Sequence, residues 1–200
     1  MFTAAEKVRD VYGYDPFKAI IAPRPIGWIS TISKQGIPNL APYSFFNAVG
    51  TSPNMLGFTS SGIKHTLINC QDTGEFVFNL VSADLVEAMN QTSAALEAGM
   101  NEFEFAKLGQ SPSVRVKPPR VTESPAAVEC RVVSIQCLKD LEGRDTTNWF
   151  VIGQVVGLYI DPAFVTEGNR FDTAKAAITS RCGYMDYMSP GPMFELLRPE

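Results

Sequence analysis

The run W-F-V-I-G-Q-V-V-G-L-Y-I, Trp149 to Ile160, is the strongest β signal in the sequence. Aromatic and β-branched side chains suit a pleated, half-buried surface, and the run carries no charge. Gly153 and Gly157 interrupt it. A glycine inside a strand marks a bend, a bulge or a close approach of another chain segment, as at the corners of a barrel. Upstream, Ala126 to Leu138 spaces Val128, Cys130, Val132 or Val133, Ile135 and Cys137 at nearly every second residue. That alternation predicts a second long strand. Glu142-Gly143-Arg144-Asp145 between the two is a turn, so they are expected to form one long hairpin.

Further out, Gly27 to Ser33 alternates large apolar and small polar residues, as a strand with one buried face would. It turns at Lys34-Gln35-Gly36 and returns from Ile37. Met55 to Thr59 and Glu75 to Val81 are further strand candidates. Thr66 to Thr73 has helical spacing and ends at Gly74, a residue suited to a helix C-terminus. Ala83 to Gln91 is a second helix candidate, with Leu85, Val86 and Met89 on one face, while Asn101 to Pro119 is loop-rich. About six strands with only short helices predict a mainly β fold, an antiparallel β-barrel with short α insertions. There is no β-α-β alternation and no G-x-G-x-x-G, which closes the Rossmann route to a nucleotide.

The 200 residues suit a single domain, taken as 1–200. With 17 basic against 21 acidic residues the formal charge is −4, and the one basic cluster, Arg115, Lys117 and Arg120, lies among prolines. A nucleic-acid partner is not expected. The cysteines at 70, 130, 137 and 182 have no metal-ligand spacing, and there is a single histidine, so no metal site is expected. Met1 to Glu6 lacks the pattern of a signal peptide, and no stretch approaches the ~20 apolar residues of a membrane span. The expectation is a cytoplasmic protein with reduced thiols and no membrane association.

Three segments carry candidate chemistry. Ser60, Ser61, Lys64 and Thr66 lie where a strand ends and a helix begins, and a helix N-terminus attracts anions. Taken alone, the hydroxyls there read first as helix caps. Ala41 to Asn47, A-P-Y-S-F-F-N, offers irregular backbone and aromatic side chains, with Thr31, Ser44 and Asn47 as hydrogen-bonding groups. Tyr43, Phe45 and Phe46 read equally as core aromatics, and Trp28 reads as packing. His65 sits in a polar turn without the partners of a hydrolytic triad.

R-P-I-G-W-I-S-T (Arg24 to Thr31) with N-L-A-P-Y-S-F-F-N (Asn39 to Asn47), F-T-S-S-G-I-K-H-T (Phe58 to Thr66) and G-E-F-V-F-N-L (Gly74 to Leu80) occur in this order. Together they resemble the flavin reductase-like family, with its FMN-binding split β-barrel. V-I-G-Q-V-V-G (Val151 to Gly157) and Arg181-Cys182-Gly183-Tyr184 agree more loosely. The resemblance implies FMN as cofactor, NADH or NADPH as co-substrate, and a homodimer. It places Thr31, Tyr43, Ser44, Phe45 and Asn47 on the flavin ring, with Ser60, Ser61, Lys64 and Thr66 on the phosphate. It implies hydride transfer to FMN and onward passage to free flavin, a partner oxygenase or another acceptor such as an electron-transfer protein. FAD and riboflavin stay open as ligands.

One position departs from the family. A histidine common before the long strand is replaced by Asn148, beside Trp149. Asn148 and Arg181 are the candidate contacts at the nicotinamide side. The replacement gives weight to an alternative: a flavoredoxin-like electron carrier with no nicotinamide site.

Overall fold

The computed structural model describes residues 1–96 and 100–199. Its strands, in chain order, are β1 (Arg24–Pro25), β2 (Gly27–Ile32), β3 (Pro38–Tyr43), β4 (Phe46–Thr51), β5 (Asn54–Ser61), β6 (Glu75–Asn79), β7 (Gln110–Ser111), β8 (Arg120–Val121), β9 (Ala126–Lys139), β10 (Asp145–Ile160), β11 (Ser180–Arg181) and β12 (Tyr187–Met188). The helices are α1 (Val8–Tyr12), α2 (Phe17–Ile20), α3 (His65–Thr73), α4 (Val86–Gln91), α5 (Glu102–Phe105) and α6 (Thr173–Ala176). The fold is mainly β, as the alternating runs predict.

Seven strands form one antiparallel sheet in the order β3-β2-β6-β9-β10-β5-β4. The outermost strands β3 and β4 are joined through only Ser44 and Phe45. In a flat sheet these edges would stand about 29 Å apart, six strand spacings of ~4.8 Å. Three Cα steps reach at most ~11 Å. The sheet therefore curls until its edges meet at this corner. The Thr59 N–H donates to the Phe45 carbonyl there at 2.8 Å, while β3 and β4 form no ladder with each other. The result is a barrel left split along one seam.

The curl encloses a core of Ile29, Tyr43, Phe58, Leu67, Cys70, Phe76, Cys130 and Val151. Tyr43 and Phe76 both pack against Phe58, with ring centroids 4.8 and 5.4 Å away. Burial pushes the thiols of Cys70 and Cys130 in this core up to about 12. On β10, the register shifts between Ile152 and Gly153 and between Val155 and Gly157, where the sequence places the bulges. Gly153 also lets the sheet close: a Cβ there would lie 2.3 Å from the Phe76 ring.

The Gly27–Ser33 segment departs from the sequence expectation. Its strand is buried on both faces, not one. Ile29 points into the barrel, whereas Trp28 joins a second core with Leu40, Met89 and Phe103. The extra cover comes from residues around α4 and α5, which pack on the outside of β2 and β3. Gly74 ends α3 as expected, in the left-handed conformation at φ +70°. Arg24 ties the periphery to the barrel, donating to the carbonyls of Lys18, Ile21 and Cys182. Among the described residues no helix is long and apolar enough to cross a membrane.

Candidate functional site

α3 packs Leu67 and Cys70 into the barrel core, and an open cleft of ≈ 510 Å³ lies at its N-terminus. The cleft is walled by Asn39 to Tyr43 of β3, the end of β5, Lys64 to Thr66, residues 92–96 after α4, and Glu102. Its size falls within the ~300–1,000 Å³ typical of small-molecule sites.

The β5–α3 turn is built by its own hydrogen bonds. Gly62, at φ +85°, donates to the Thr147 carbonyl at 2.7 Å. The buried Ser60 hydroxyl donates to the Gly62 carbonyl at 2.9 Å. Lys64 then stands at the N-cap in extended conformation, with no side-chain cap. The first α3 bond runs from the Ile68 N–H to the Lys64 carbonyl. The backbone N–H groups of His65, Thr66 and Leu67 have no partner among the described residues. Uncapped N–H groups carry the positive end of the helix dipole, and the Lys64 ammonium adds to it.

Tyr43 and Glu102 on this cleft have pKa values moved by burial. The Tyr43 hydroxyl is buried, and among the described residues no hydrogen bond of ordinary geometry reaches it. Burial pushes its pKa up to about 12, tempered by the neighbouring Thr66 and Ser60 hydroxyls. Glu102 is 8% exposed and accepts the Leu40 N–H at 3.2 Å. Burial raises its carboxyl pKa, against the pull of that backbone bond and of His65.

The sequence-predicted residues fall into three groups. Tyr43, Ser61, Lys64 and Thr66 come together on the cleft. Thr31 and Ser60 lie behind it, both fully buried. Ser44, Phe45 and Asn47 lie around the β3–β4 corner, outside the cleft. There Phe45 faces the Lys18 ammonium and the Arg24 guanidinium, 5.8 and 6.0 Å from its ring centre. Asn47 accepts the Ala48 N–H at 2.8 Å. Asn148 adjoins the cleft, accepting the Ser61 hydroxyl at 3.0 Å. Arg181 is engaged within the β11–β12 hairpin, donating to the carbonyls of Tyr184 and Asp186 at 2.6 and 2.8 Å.

Sequence reasoning missed Asn39, Asn69, Glu102 and the wall at 92–96. A usable signal for Asn69 was present: it lies three residues after Thr66, so both polar side chains share the face of α3 that also carries Cys70.

The sequence profile of the flavin reductase like domain matches residues 21–173. The chain belongs to this family. A family relative in Aquifex aeolicus is 34% identical over 174 residues, which span 84% of this chain and 85% of that protein. Nitrilotriacetate monooxygenase component B of Bacillus cereus superposes with a TM-score of 0.88 at 28% identity, covering 98% of both chains. A Shewanella frigidimarina protein with a split barrel domain superposes with a TM-score of 0.85 at 23% identity, covering 100% of both. The split, curled sheet is thus the family architecture, and the family is a flavin-binding one.

The cleft fits such a ligand. A phosphate monoester offers acceptors and no donors when ionised, and this end of the cleft presents donors: free N–H groups, an ammonium and hydroxyls. Ala41, Pro42, Ala94 and Ala95 give the cleft an apolar lining, suited to a flat ring. Tyr43 also lines the cleft, with its buried hydroxyl beside those of Thr66 and Ser60.

Proposed function

We propose that the protein is an FMN-dependent oxidoreductase using NADH or NADPH. The observation that carries this reading is the convergence of the uncapped α3 N-terminus, Lys64, Ser61, Thr66 and the buried Tyr43 hydroxyl on one cleft. Lys64, Ser61, Thr66 and the free N–H groups bind the FMN phosphate. The apolar lining and Tyr43 hold the ring end. When bound, FMN supplies the redox chemistry, accepting a hydride from the nicotinamide and releasing electrons to free flavin, a partner oxygenase or another acceptor.

The chain's own contribution is positioning. Asn148 places its side-chain oxygen on Ser61, leaving its N–H₂ group to donate to a nicotinamide carboxamide. An oxygenase partner accords with the similarity to a monooxygenase component. A homodimer accords with the apolar side chains exposed at the two chain ends, among them Phe17, Ile20, Tyr184 and Tyr187. A stable monomer in a sizing experiment would remove the dimer.

The test is an anaerobic absorbance titration of the FMN-loaded protein with NADH and then NADPH. Rapid bleaching of the visible flavin band supports the reductase and names its donor. A band that survives both nucleotides but bleaches with dithionite overturns it in favour of an electron carrier. A protein that takes up no FMN overturns both.

A further inference from the structure

Behind the cleft, four polar side chains are linked in a hydrogen-bonded chain in the barrel wall. Thr31 on β2 is fully buried, and Asn39, Thr66 and Asn69 are 7%, 1% and 5% exposed. The Thr31 hydroxyl oxygen accepts from the Asn69 amide at 3.0 Å and from the Asn39 amide at 3.4 Å. The same Asn39 N–H₂ group donates to the Thr66 hydroxyl oxygen at 2.9 Å. Asn39 is thereby held between two hydroxyls, one on the sheet and one on α3.

This polarity has a directional consequence. A hydroxyl has one hydrogen to give, and a bond accepted from Asn39 turns that hydrogen away from Asn39. A threonine inside a helix usually donates to a carbonyl one turn back. Thr66 is the second residue of α3, so no helical carbonyl lies one turn before it. Among the described residues its hydroxyl has no carbonyl or carboxylate to donate to, and its other polar neighbour is the Tyr43 hydroxyl. It opens on the cleft beside Lys64, the free α3 N–H groups and the buried Tyr43 hydroxyl.

We propose that Asn39, anchored by Thr31 and Asn69, orients the Thr66 hydroxyl as a donor to the ligand's phosphate. Thr31 and Asn69 are positioning residues that do not touch the ligand, and Asn39 acts through Thr66. The inference rests on the reading of the cleft as an FMN phosphate site. It recasts Thr31, whose buried hydroxyl supports the phosphate end from behind instead of contacting the ring.

The test compares FMN with riboflavin, which lacks the phosphate, by titration into wild type, Thr31→Val, Thr31→Ser and Lys64→Ala. Thr31→Val removes the anchoring oxygen at nearly constant shape. It should weaken FMN about fivefold, the effect of one hydrogen bond, while riboflavin affinity stays unchanged. Thr31→Ser keeps the hydroxyl and should restore FMN affinity to within about twofold. Should Thr31→Val fail to fold, Asn39→Ser releases the Thr66 hydroxyl and should show the same FMN-selective loss. An equal loss for both ligands, or no loss while Lys64→Ala selectively weakens FMN, overturns the positioning role alone. If Lys64→Ala leaves FMN affinity unchanged, the phosphate reading itself falls.

Discussion

The Trp28 indole N–H donates to the Thr92 hydroxyl at 2.9 Å, and that hydroxyl donates onward to the Met89 carbonyl at 2.7 Å. Trp28 is fully buried in the outer core, whereas Thr92 begins the wall of the cleft. One side chain thus joins the packing of the sheet to the shape of the site. Trp28→Phe removes the N–H and part of the packed volume, and should destabilise the protein by about 2 kcal/mol. Denaturant unfolding measures the loss. Amide exchange in 92–96 should accelerate more than exchange in β9 and β10, and a uniform change would contradict the link.

Tyr43 should show opposite signs for stability and binding. Among the described residues no hydrogen bond of ordinary geometry reaches its buried hydroxyl, and an unsatisfied buried hydroxyl costs up to about 1–3 kcal/mol. Tyr43→Phe should therefore leave the flavin-free protein at least as stable as wild type, by up to ~1 kcal/mol in the variant's favour. Flavin affinity should fall. Thermal melts without ligand, paired with an FMN titration, check both halves.

Glu102 makes stability depend on pH in a definite direction. Burial holds its folded-state pKa above the ordinary glutamate value. The folded protein therefore retains the proton more tightly than the unfolded chain does. The associated stability is present below the unfolded pKa and is lost as pH rises through the folded one. Glu102→Gln, which still offers an oxygen to the Leu40 N–H, should lack this loss. Unfolding free energies measured from acid pH to neutrality should shift in the variant's favour as pH rises; parallel profiles would contradict the assignment.

Gly153→Ala tests the closure of the barrel. The added carbon would lie 2.3 Å from the Phe76 ring and 3.0 Å from the Cys130 Cβ, both side chains fully buried. Overpacking of this kind costs about 1–3 kcal/mol, read as a lowered denaturation midpoint.

The long hairpin was legible because β9 and β10 carry their information locally, in alternation and in two glycines. β4 was not. F-N-A-V-G-T, Phe46 to Thr51, is mostly exposed and has no apolar period to betray a strand. The curl depends on how far apart β3 and β4 fall in the sheet order, which no local pattern encodes. In the site, Ser61, Lys64 and Thr66 sit close in sequence and share one turn, so their convergence could be read in advance. Ser44, Phe45 and Asn47 follow Tyr43 directly, yet the corner carries them out of the cleft. Glu102 and the wall at 92–96 reach it only through packing of α4 and α5 on β3.

The Ser61–Asn148 bond joins residues 87 positions apart, and β5 has only β4 and β10 beside it in the sheet. At a synthesis rate of ~5–20 residues per second, the ribosome takes about 4–17 s to travel from one residue to the other. Through that interval the turn at Lys64 has left the ribosome's active centre without the strand that braces it. The bracing of this turn is therefore a late event in the life of the nascent chain, deferred until β10 has been made and has zipped onto β5.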